Sequence, residues 1–391
     1  MKRAVVVECV RSPVGRAHSE NGFFRDVRAD DLAVAVVEGL VTKSGIPTDQ
    51  IEDCLMGNTQ QQGEQGFCVA RNIALMSGLP VETGGVTINR LCGSSLQAIN
   101  QGAHAIMSGF ENVQIVGGLE HMHHIPMDKD FDINPKLFTR TSKGALMMGV
   151  TAEFLAQMHS ISREAQDEFA LRSHELAKKA TADGHFRKEI VPIWGKNERG
   201  DRTLFDFDQS IRNDTSQQAL AQLKPAFMPG MGTVTAGNSS PLNDGAAAML
   251  IMAEEKAAEL GLQPLARIVA TAIAGVDPCV MGTGPVPATL KALHRANLSL
   301  NDIDLIELNE AFAAQALTCI EMLGMDIERV NVSGGSIAIG HPLGASGARI
   351  ATTLIHNLRA RQARYGLATM CIGVGQGIAT IFENVDPRGG G

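Results

Sequence analysis

The sequence has no surplus of positive charge. It holds 34 Lys and Arg against 42 Asp and Glu, a formal net charge of −8, which argues against nucleic acid as the main partner. No apolar run is long enough to span a bilayer. The N-terminal MKRAVVVECVRSP opens with two basic residues, but its apolar run is short and holds Glu8. Lacking a cleavage-site pattern, it reads as a first strand rather than a signal peptide. Paired cysteines are missing too. The seven, Cys9, Cys54, Cys68, Cys92, Cys279, Cys319 and Cys371, are odd in number, irregularly spaced and without a CxxC. That excludes a disulfide framework and a zinc-ribbon pattern, and a reducing cytoplasm is the expected compartment. There is no GxxxxGK[ST], and GTGPVP (282–287) lacks the third glycine of a dinucleotide fingerprint, so nucleotide hydrolysis and NAD chemistry are disfavoured. EHMHH (120–124) lacks the spacing and acidic partners of a metal site, so no metal is expected. Aromatic residues make up only 4% of the chain, whereas glycine reaches 41 residues. That balance suits close-packed α/β layers with many tight turns.

What is present is an alternation of strand and helix signals. AVVVECV reads as a buried strand, and DDLAVAVVEGLVTKSG as a helix with acidic residues first and glycine last. IEDCLMGN, VTIN and VQIVGGLE read as further strands, with ARNIALMSG and the segment after Cys92 as helices. Such alternation predicts a mostly parallel sheet covered by helices. The pattern then recurs. TDQIEDCLMGN (48–58) resembles LNDIDLIELNE (300–310), an offset of 252 residues between Ile51 and Ile303. The same offset carries Cys92 into GHPLGASGAR (340–349) and Gly117 into LATMCIG (367–373). Two homologous α/β halves related by duplication are expected, and a seam between halves commonly holds a site. Between them the pattern breaks, over roughly 120–240. Residues 121–240 hold the only Trp and balance 15 basic against 15 acidic residues, so the rest of the chain carries the whole −8. A locally neutral insertion is where an anionic ligand is best tolerated. Three parts follow: 1–119 plus about 241–262, an inserted loop domain 120–240, and a second half 263–391.

VTINRLCGSSLQAIN (86–100) places Cys92 between a strand and a helix, with only small residues after it. A lone cysteine is usually a small core residue. At a helix start, however, free N–H groups and the positive dipole end are expected to lower a thiol's pKa and favour the thiolate nucleophile. Such a nucleophile needs a base. His341 lies in the glycine-rich loop GGSIAIGHPLGASG (334–347), close to the pseudo-equivalent of Cys92, and suits a base facing it across a two-fold seam. Cys371 ends an apolar strand in MCIGVGQG (370–377). The glycine loop after it is expected to expose the sulfur and free backbone N–H groups for an oxyanion. Asn309, in ELNEAF (307–312) between strand and helix, can hold a water or substrate oxygen.

Taken together, NRLCGSS, NEAFAAQA, GGSIAIGHPLGASGAR and CIGVGQG resemble the nucleophile, Asn, His and second-cysteine motifs of the thiolase family, in the family's order. LKPAF and GTVTAGNSSPLNDGAA (223–247) extend the resemblance over essentially the whole chain. GLEHMHHIPM, MMGVTAEFLA and CIGVGQGIATIFE resemble the degradative members, the β-subunits of bacterial fatty acid oxidation complexes. The resemblance implies an α/β thiolase fold: two βαβαβαββ halves in a five-layer αβαβα arrangement with an inserted loop domain. It implies thiolytic cleavage of 3-ketoacyl-CoA through an acyl-thioester on Cys92, with CoA as co-substrate and no permanently bound cofactor. His341 takes the Cys92 proton, and Cys371 protonates the acetyl-CoA enolate and then deprotonates the incoming CoA. His341 and a water held by Asn309 serve one oxyanion, and the N–H groups of Cys92 and Gly373 serve the other. For CoA the matching positions are Arg212, Phe227 and Ser240, with Met147 and Met148 along the pantetheine channel.

By the same resemblance the chain is a homodimer that joins a multifunctional α-subunit as α2β2, with contacts from the 120–240 segment. That segment could equally just cover the active site. Condensation by a biosynthetic acetoacetyl-CoA thiolase uses the same catalytic residues. A non-catalytic lipid-binding protein of this fold and a cysteine hydrolase also compete with thiolysis, and CoA dependence separates thiolysis from hydrolysis. Acyl chain length is set by pocket shape and is not written in these motifs.

Overall fold

The computed structural model describes residues 2–386. The ends of the expected outer segments, Met1 and 387–391, lie outside the described residues.

The first half runs β1 (Ala4–Arg11), β2 (Gly15–Arg16), α1 (Ala29–Ser44), β3 (Asp53–Gly57), α2 (Val69–Met76), β4 (Val86–Ile88), α3 (Ser94–Ser108) and β5 (Val113–His121). The inserted segment follows, with α4 (Met148–Met158), α5 (Arg163–Ala182), the hairpin β6 (Ile193–Lys196) and β7 (Arg202–Phe205), and α6 (Gln217–Ala221). The chain returns through β8 (Asn243–Ala253) and α7 (Glu254–Glu259). The second half is β9 (Ala266–Gly275), α8 (Pro285–Ala296), β10 (Leu305–Leu308), α9 (Ala313–Leu323), α10 (Ser346–Arg361), β11 (Tyr365–Ile372) and β12 (Gln376–Asn384). The stretch between β5 and β8 is thus 122–242.

The sheet path is β10-β11-β12-β9-β1-β8-β5-β3-β4, with β2 on β8, and it is mixed rather than mostly parallel: among the described residues β3–β4, β3–β5 and β10–β11 pair parallel and the other pairings are antiparallel. It contains the duplication in its register. In the first half β3 pairs parallel with β5, Asp53 opposite Gln114; in the second β10 pairs parallel with β11, Leu305 opposite Gly366. Both partners are shifted by the same 252 residues, and so are the starts of α3 and α10. The half-sheets touch at β1 and β9 through only two residue pairs, Val5 with Arg267 and Val6 with Ala266. This narrow join lets them enclose α3 and α10. Leu96, Ile99 and Ile106 of α3 share one core with Ile350, Leu354 and Leu358 of α10, and strands of both halves contribute. Leu32, Val36 and Leu40 of α1 with Ile73 of α2 cover one outer face. Val286 and Leu293 of α8 with Ala316 and Cys319 of α9 cover the other. The five αβαβα layers follow from where the apolar faces point.

The second half departs from an exact repeat at one place. Its counterpart of β4 is reduced to a single parallel bridge between Ile306 and Val330. Asn331 explains the difference. It adopts a left-handed conformation, φ 50°. Its carboxamide accepts from the Leu308 N–H at 2.9 Å and donates to the Leu308 carbonyl at 2.8 Å. A side chain has replaced the next pair of ladder bonds, so the strand stops.

Close approach fixes where the two central helices begin. A Cβ on Gly118 of β5 would lie 2.1 Å from the Gly344 carbonyl, and one on Gly347 would lie 2.4 Å from the Leu96 nitrogen. Only glycine admits this contact. The N-terminus of α10 therefore rests on the N-terminus of α3, and the Ser95 hydroxyl accepts from the Ala348 N–H at 2.9 Å.

Candidate active site

Cys92 sits in the turn just before α3. Leu91 beside it is left-handed, φ 46°, a strained conformation for a bulky residue. Two side chains hold the turn. Asn89 Oδ1 accepts from the Leu91 N–H at 2.9 Å, and the Ser94 hydroxyl accepts from the Arg90 N–H and donates to the Leu91 carbonyl. The residue is half-buried. Its sulfur accepts hydrogen bonds from the residue's own N–H and from the Gly373 N–H, which arrives from the second half. The expected lowering of its pKa is not what the environment gives. Burial pushes the thiol up to about 11, and these two N–H groups offset only part of that. Desolvation of a thiolate between two apolar half-sheets outweighs the helix terminus.

Cys371 is the second correction. It lies in β11 opposite Gly377 of β12, ahead of the hairpin turn, and is only 1% exposed. The glycines close a tight turn rather than open a loop, with Val374 at φ 63° and Gly375 at φ 80°. A β-branched residue in the left-handed region is a second point of strain beside the sulfurs. Burial raises the Cys371 thiol well above its ordinary range, and the proximity of Cys92 raises it further. The two sulfurs therefore oppose each other's ionisation. Met148, Ala152, Val234, Met281, Ala311 and Phe312 pack around Cys371 as an apolar wall.

His341 comes from the loop before α10. Its backbone N–H donates to Asn243 Oδ1 at 2.9 Å, and its ring is buried. Nδ1 lies 2.5 Å from the Ser346 hydroxyl, which donates its proton to the Pro342 carbonyl at 2.8 Å. A hydroxyl has one proton to give, so Nδ1 carries the hydrogen and Nε2 presents its lone pair. Asn309 Nδ2 faces that lone pair at 3.3 Å. The asparagine thus reaches the imidazole directly. Burial, with Arg349 adding to it, lowers the His341 pKa to about 3, so the ring is neutral.

The seam between the halves is pinned by Glu120, the next-to-last residue of β5. Its buried carboxylate accepts from Asn58 Nδ2, Thr59 N–H and hydroxyl, Gln60 N–H, Gln65 Nε2 and the Gly344 N–H. The first five donors belong to the first half, and the last belongs to the His341 loop.

The five expected CoA positions separate. Met148 lies against the Gly373 turn, its sulfur 3.4 Å from where a Cβ on Gly373 would be. Met147 points outward, 56% exposed, and shares no cluster with it. Phe227 packs edge-on against Phe312 at 5.8 Å and is 36% exposed. Ser240 follows closely, its N–H on the Ala311 carbonyl at 3.0 Å. Arg212 is exposed and lines a cavity with Arg16, His174, Ser210 and Ser239. Burial and these two guanidiniums push His174 down to about 4, leaving the cavity's positive charge on the arginines. Arg16 and His174 escaped the sequence reading, because their side chains meet only through the insertion. The histidines of 121–124 are engaged in packing. His121 stacks on His124 at 3.8 Å, and the two nitrogens of His124 face Glu64 and the Arg25 carbonyl, both at 2.8 Å.

Two family descriptions cover nearly all of this architecture: "Thiolase, N-terminal domain" over residues 4–255 and "Thiolase, C-terminal domain" over residues 262–384. The chain belongs to the thiolase family. It is 55% identical over 387 residues to the "3-ketoacyl-CoA thiolase" of Vibrio vulnificus (strain YJ016), covering 98% of this chain and 100% of that protein. It is 52% identical to the protein of that name from Photobacterium profundum, over 98% of this chain and 100% of the relative. Among solved structures, the Bacillus anthracis acetyl-CoA acetyltransferase matches with a TM-score of 0.90 at 42% identity, covering 98% of this chain and 99% of the other. Human mitochondrial 3-ketoacyl-CoA thiolase matches with the same TM-score and coverages at 38% identity. The thiolase fold therefore carries both pairs: the sulfurs of Cys92 and Cys371, and the Asn309 carboxamide on the His341 imidazole.

Proposed function

We propose that this thiolase is an acetyl-CoA C-acyltransferase that cleaves 3-ketoacyl-CoA with CoA, releasing acetyl-CoA and an acyl-CoA shortened by the acetyl unit. The observation that carries the reading is the half-buried residue Cys92, its sulfur bonded by two backbone N–H groups beside a second, fully buried thiol, in a chain 55% identical to proteins named 3-ketoacyl-CoA thiolase. The name shared by the relatives favours the degradative reading over condensation.

The residues divide the chemistry as follows. His341 Nε2 accepts the Cys92 proton, and the sulfur attacks the 3-keto carbon. The oxyanion that forms lies beside the Cys92 and Gly373 N–H groups; one such donor is worth about 3 kcal/mol. The bond between C2 and C3 breaks, and its electron pair becomes the acetyl-CoA enolate. Asn309 Nδ2 and the imidazole hold the enolate oxygen, and the Cys371 thiol protonates C2. A raised pKa suits that acid, which must keep its proton until the carbanion forms. The shortened acyl group now sits on Cys92. The Cys371 thiolate takes the proton of CoA, whose sulfur attacks the thioester, and His341 returns its proton to Cys92. The apolar wall around Cys371 keeps water from the acyl-enzyme. Arg212 and Arg16 suit the phosphates of CoA, and Phe227, Ser240 and Met148 suit its path inward.

Loss of 3-ketoacyl-CoA should require free CoA and give a shortened acyl-CoA at every turnover. A rate series from short to long substrates reads both the dependence and the chain-length preference. Acid product formed at the same rate without CoA would identify a hydrolase instead.

The reading includes a cytoplasmic setting, with no permanently bound cofactor. Among the described residues no helix is long and apolar enough to cross a membrane. The chain works as a homodimer that joins a multifunctional α-subunit. The edge strand β4, with Val86 exposed, supports a paired edge. Exposed Met127, Phe131 and Met147 lie in the insertion that would meet the α-subunit. Light scattering should give at least a dimer, and the α-subunit should co-elute as a larger complex. A monomer at micromolar concentration, or separate elution at low salt, overturns the respective part.

A further inference from the structure

The buried groups behind His341 form a chain of hydrogen bonds with one direction. Arg349 Nη2 donates to the Ser336 hydroxyl at 2.6 Å, and Ser336 donates to Asn309 Oδ1 at 2.6 Å. Asn309 Nδ2 then donates to His341 Nε2 at 3.3 Å, and His341 Nδ1 donates to Ser346, which donates to the Pro342 carbonyl. Both ends have fixed polarity: a guanidinium can only donate and a carbonyl can only accept. With Arg349 filling one acceptor site of Ser336, the single Ser336 proton goes to Asn309. That proton decides which way the carboxamide faces. Arg349, Ser336 and Asn309 are all essentially buried, so no solvent contact can substitute.

We propose that Ser336, anchored by Arg349, is a positioning residue that keeps the Asn309 amide turned with its N–H toward His341 and the reacting oxygen. This rests on the thiolytic reading above. Without the Ser336 proton the carboxamide is free to flip and present its oxygen to Nε2. An oxygen there attracts a proton onto Nε2, which removes the lone pair needed by Cys92 and the donor needed by the enolate. The charged groups around this chain are Arg349 of α10, Glu307 in β10, Glu310 just after it, and, acting on Arg349 from further off, Arg11, Glu189 and Asp208; Arg349 is the one that acts on His341. Arg349 opposes protonation of the ring, so the Asn309 orientation and Arg349 act in the same sense.

The sequence motif hid this role. Ser336 and Ser346 stand among small residues that read as loop material, and the order of the protons exists only when Asn309 meets the 336–349 stretch.

The test is Ser336→Ala in the full-length protein, with folding checked by thermal unfolding. It should lower kcat roughly 10- to 100-fold with KM for the 3-ketoacyl-CoA little changed, as expected for a misoriented catalytic group. The acidic limb of kcat/KM should move to higher pH, because the His341 lone pair is protonated more readily. In an Asn309→Ala background the same substitution should cost almost nothing, because Ser336 acts through Asn309. Ser336→Thr, which keeps the hydroxyl, should restore most of the rate if the methyl fits. A full additional loss in the Asn309→Ala background, or an unmoved acidic limb in a folded Ser336→Ala protein, overturns the proposal. Either result leaves the thiolytic reading intact, which falls only if CoA dependence or Cys92 acylation fails.

Discussion

Cys92→Ala is expected to remove thiolysis by a factor on the order of 10⁴ or more, the scale of losing a covalent nucleophile. Sulfur is needed twice at this position, to attack the ketone and to leave the thioester, and no neighbour can take its place. Cys371 is 1% exposed and enclosed by the apolar wall. Cys68 is exposed, but it lies at the start of α2 with its sulfur on the Gly85 carbonyl. Wild-type protein mixed with an acyl-CoA and quenched should therefore carry one acyl group on the peptide containing Cys92, and Cys92→Ala should carry none. Because Cys92 is half-buried and its turn is held by Asn89 and Ser94, the variant should unfold near the wild-type temperature. An adduct on another cysteine, or residual turnover near the wild-type rate, would show that the attack occurs elsewhere.

The position of that nucleophile was legible in the sequence, but its electrostatics were not. The strand-to-helix break around Cys92 and the 252-residue offset are local and periodic signals, and they carried through to the register of β3–β5 and β10–β11. The sign of the Cys92 shift depends on how much apolar mass the second half brings over the sulfur. That is a balance between desolvation and two N–H groups, one of which, on Gly373, is 281 positions away in the chain. Cys371 failed for a related reason. A glycine-rich stretch after a strand reads as a mobile loop, yet Val374 and Gly375 form a tight turn that returns directly into β12. The missing strand of the second half turned on one residue, Asn331, whose side chain does the work of a backbone. Glu120, Ser336, Ser346 and Arg349 gave no signal of function by residue type. Glu120 is defined by the Gly344 N–H it meets across the seam, Ser336 by Asn309 and Arg349, and Ser346 by His341, and residue type announces none of these partners.

Cys371→Ser should separate the two halves of the reaction. The step that forms the acetyl-CoA enolate ends with protonation of carbon, and the second half begins with removal of the CoA proton; both pass through the Cys371 sulfur in the proposed mechanism. Serine is close in size, so β11, β12 and the turn between them should persist. Its hydroxyl neither gives nor takes a proton readily near neutral pH, so 3-ketoacyl-CoA thiolysis should fall by roughly 10²- to 10⁴-fold, the range of a lost general acid and base. Acylation of Cys92 from a simple acyl-CoA should survive much better. There the leaving group is the CoA thiolate, which departs without help, whereas a carbanion does not. Mass spectrometry should find acyl-Cys92 accumulating in the variant. A second readout isolates the carbon step: wild-type protein in D₂O should exchange the acetyl hydrogens of acetyl-CoA, and Cys371→Ser should not. Loss of acylation together with turnover would make Cys371 part of the nucleophile's support rather than the proton carrier. Near-normal thiolysis and exchange would move the proton to another group, first of all His341, whose Nε2 lies 3.3 Å from the Asn309 carboxamide.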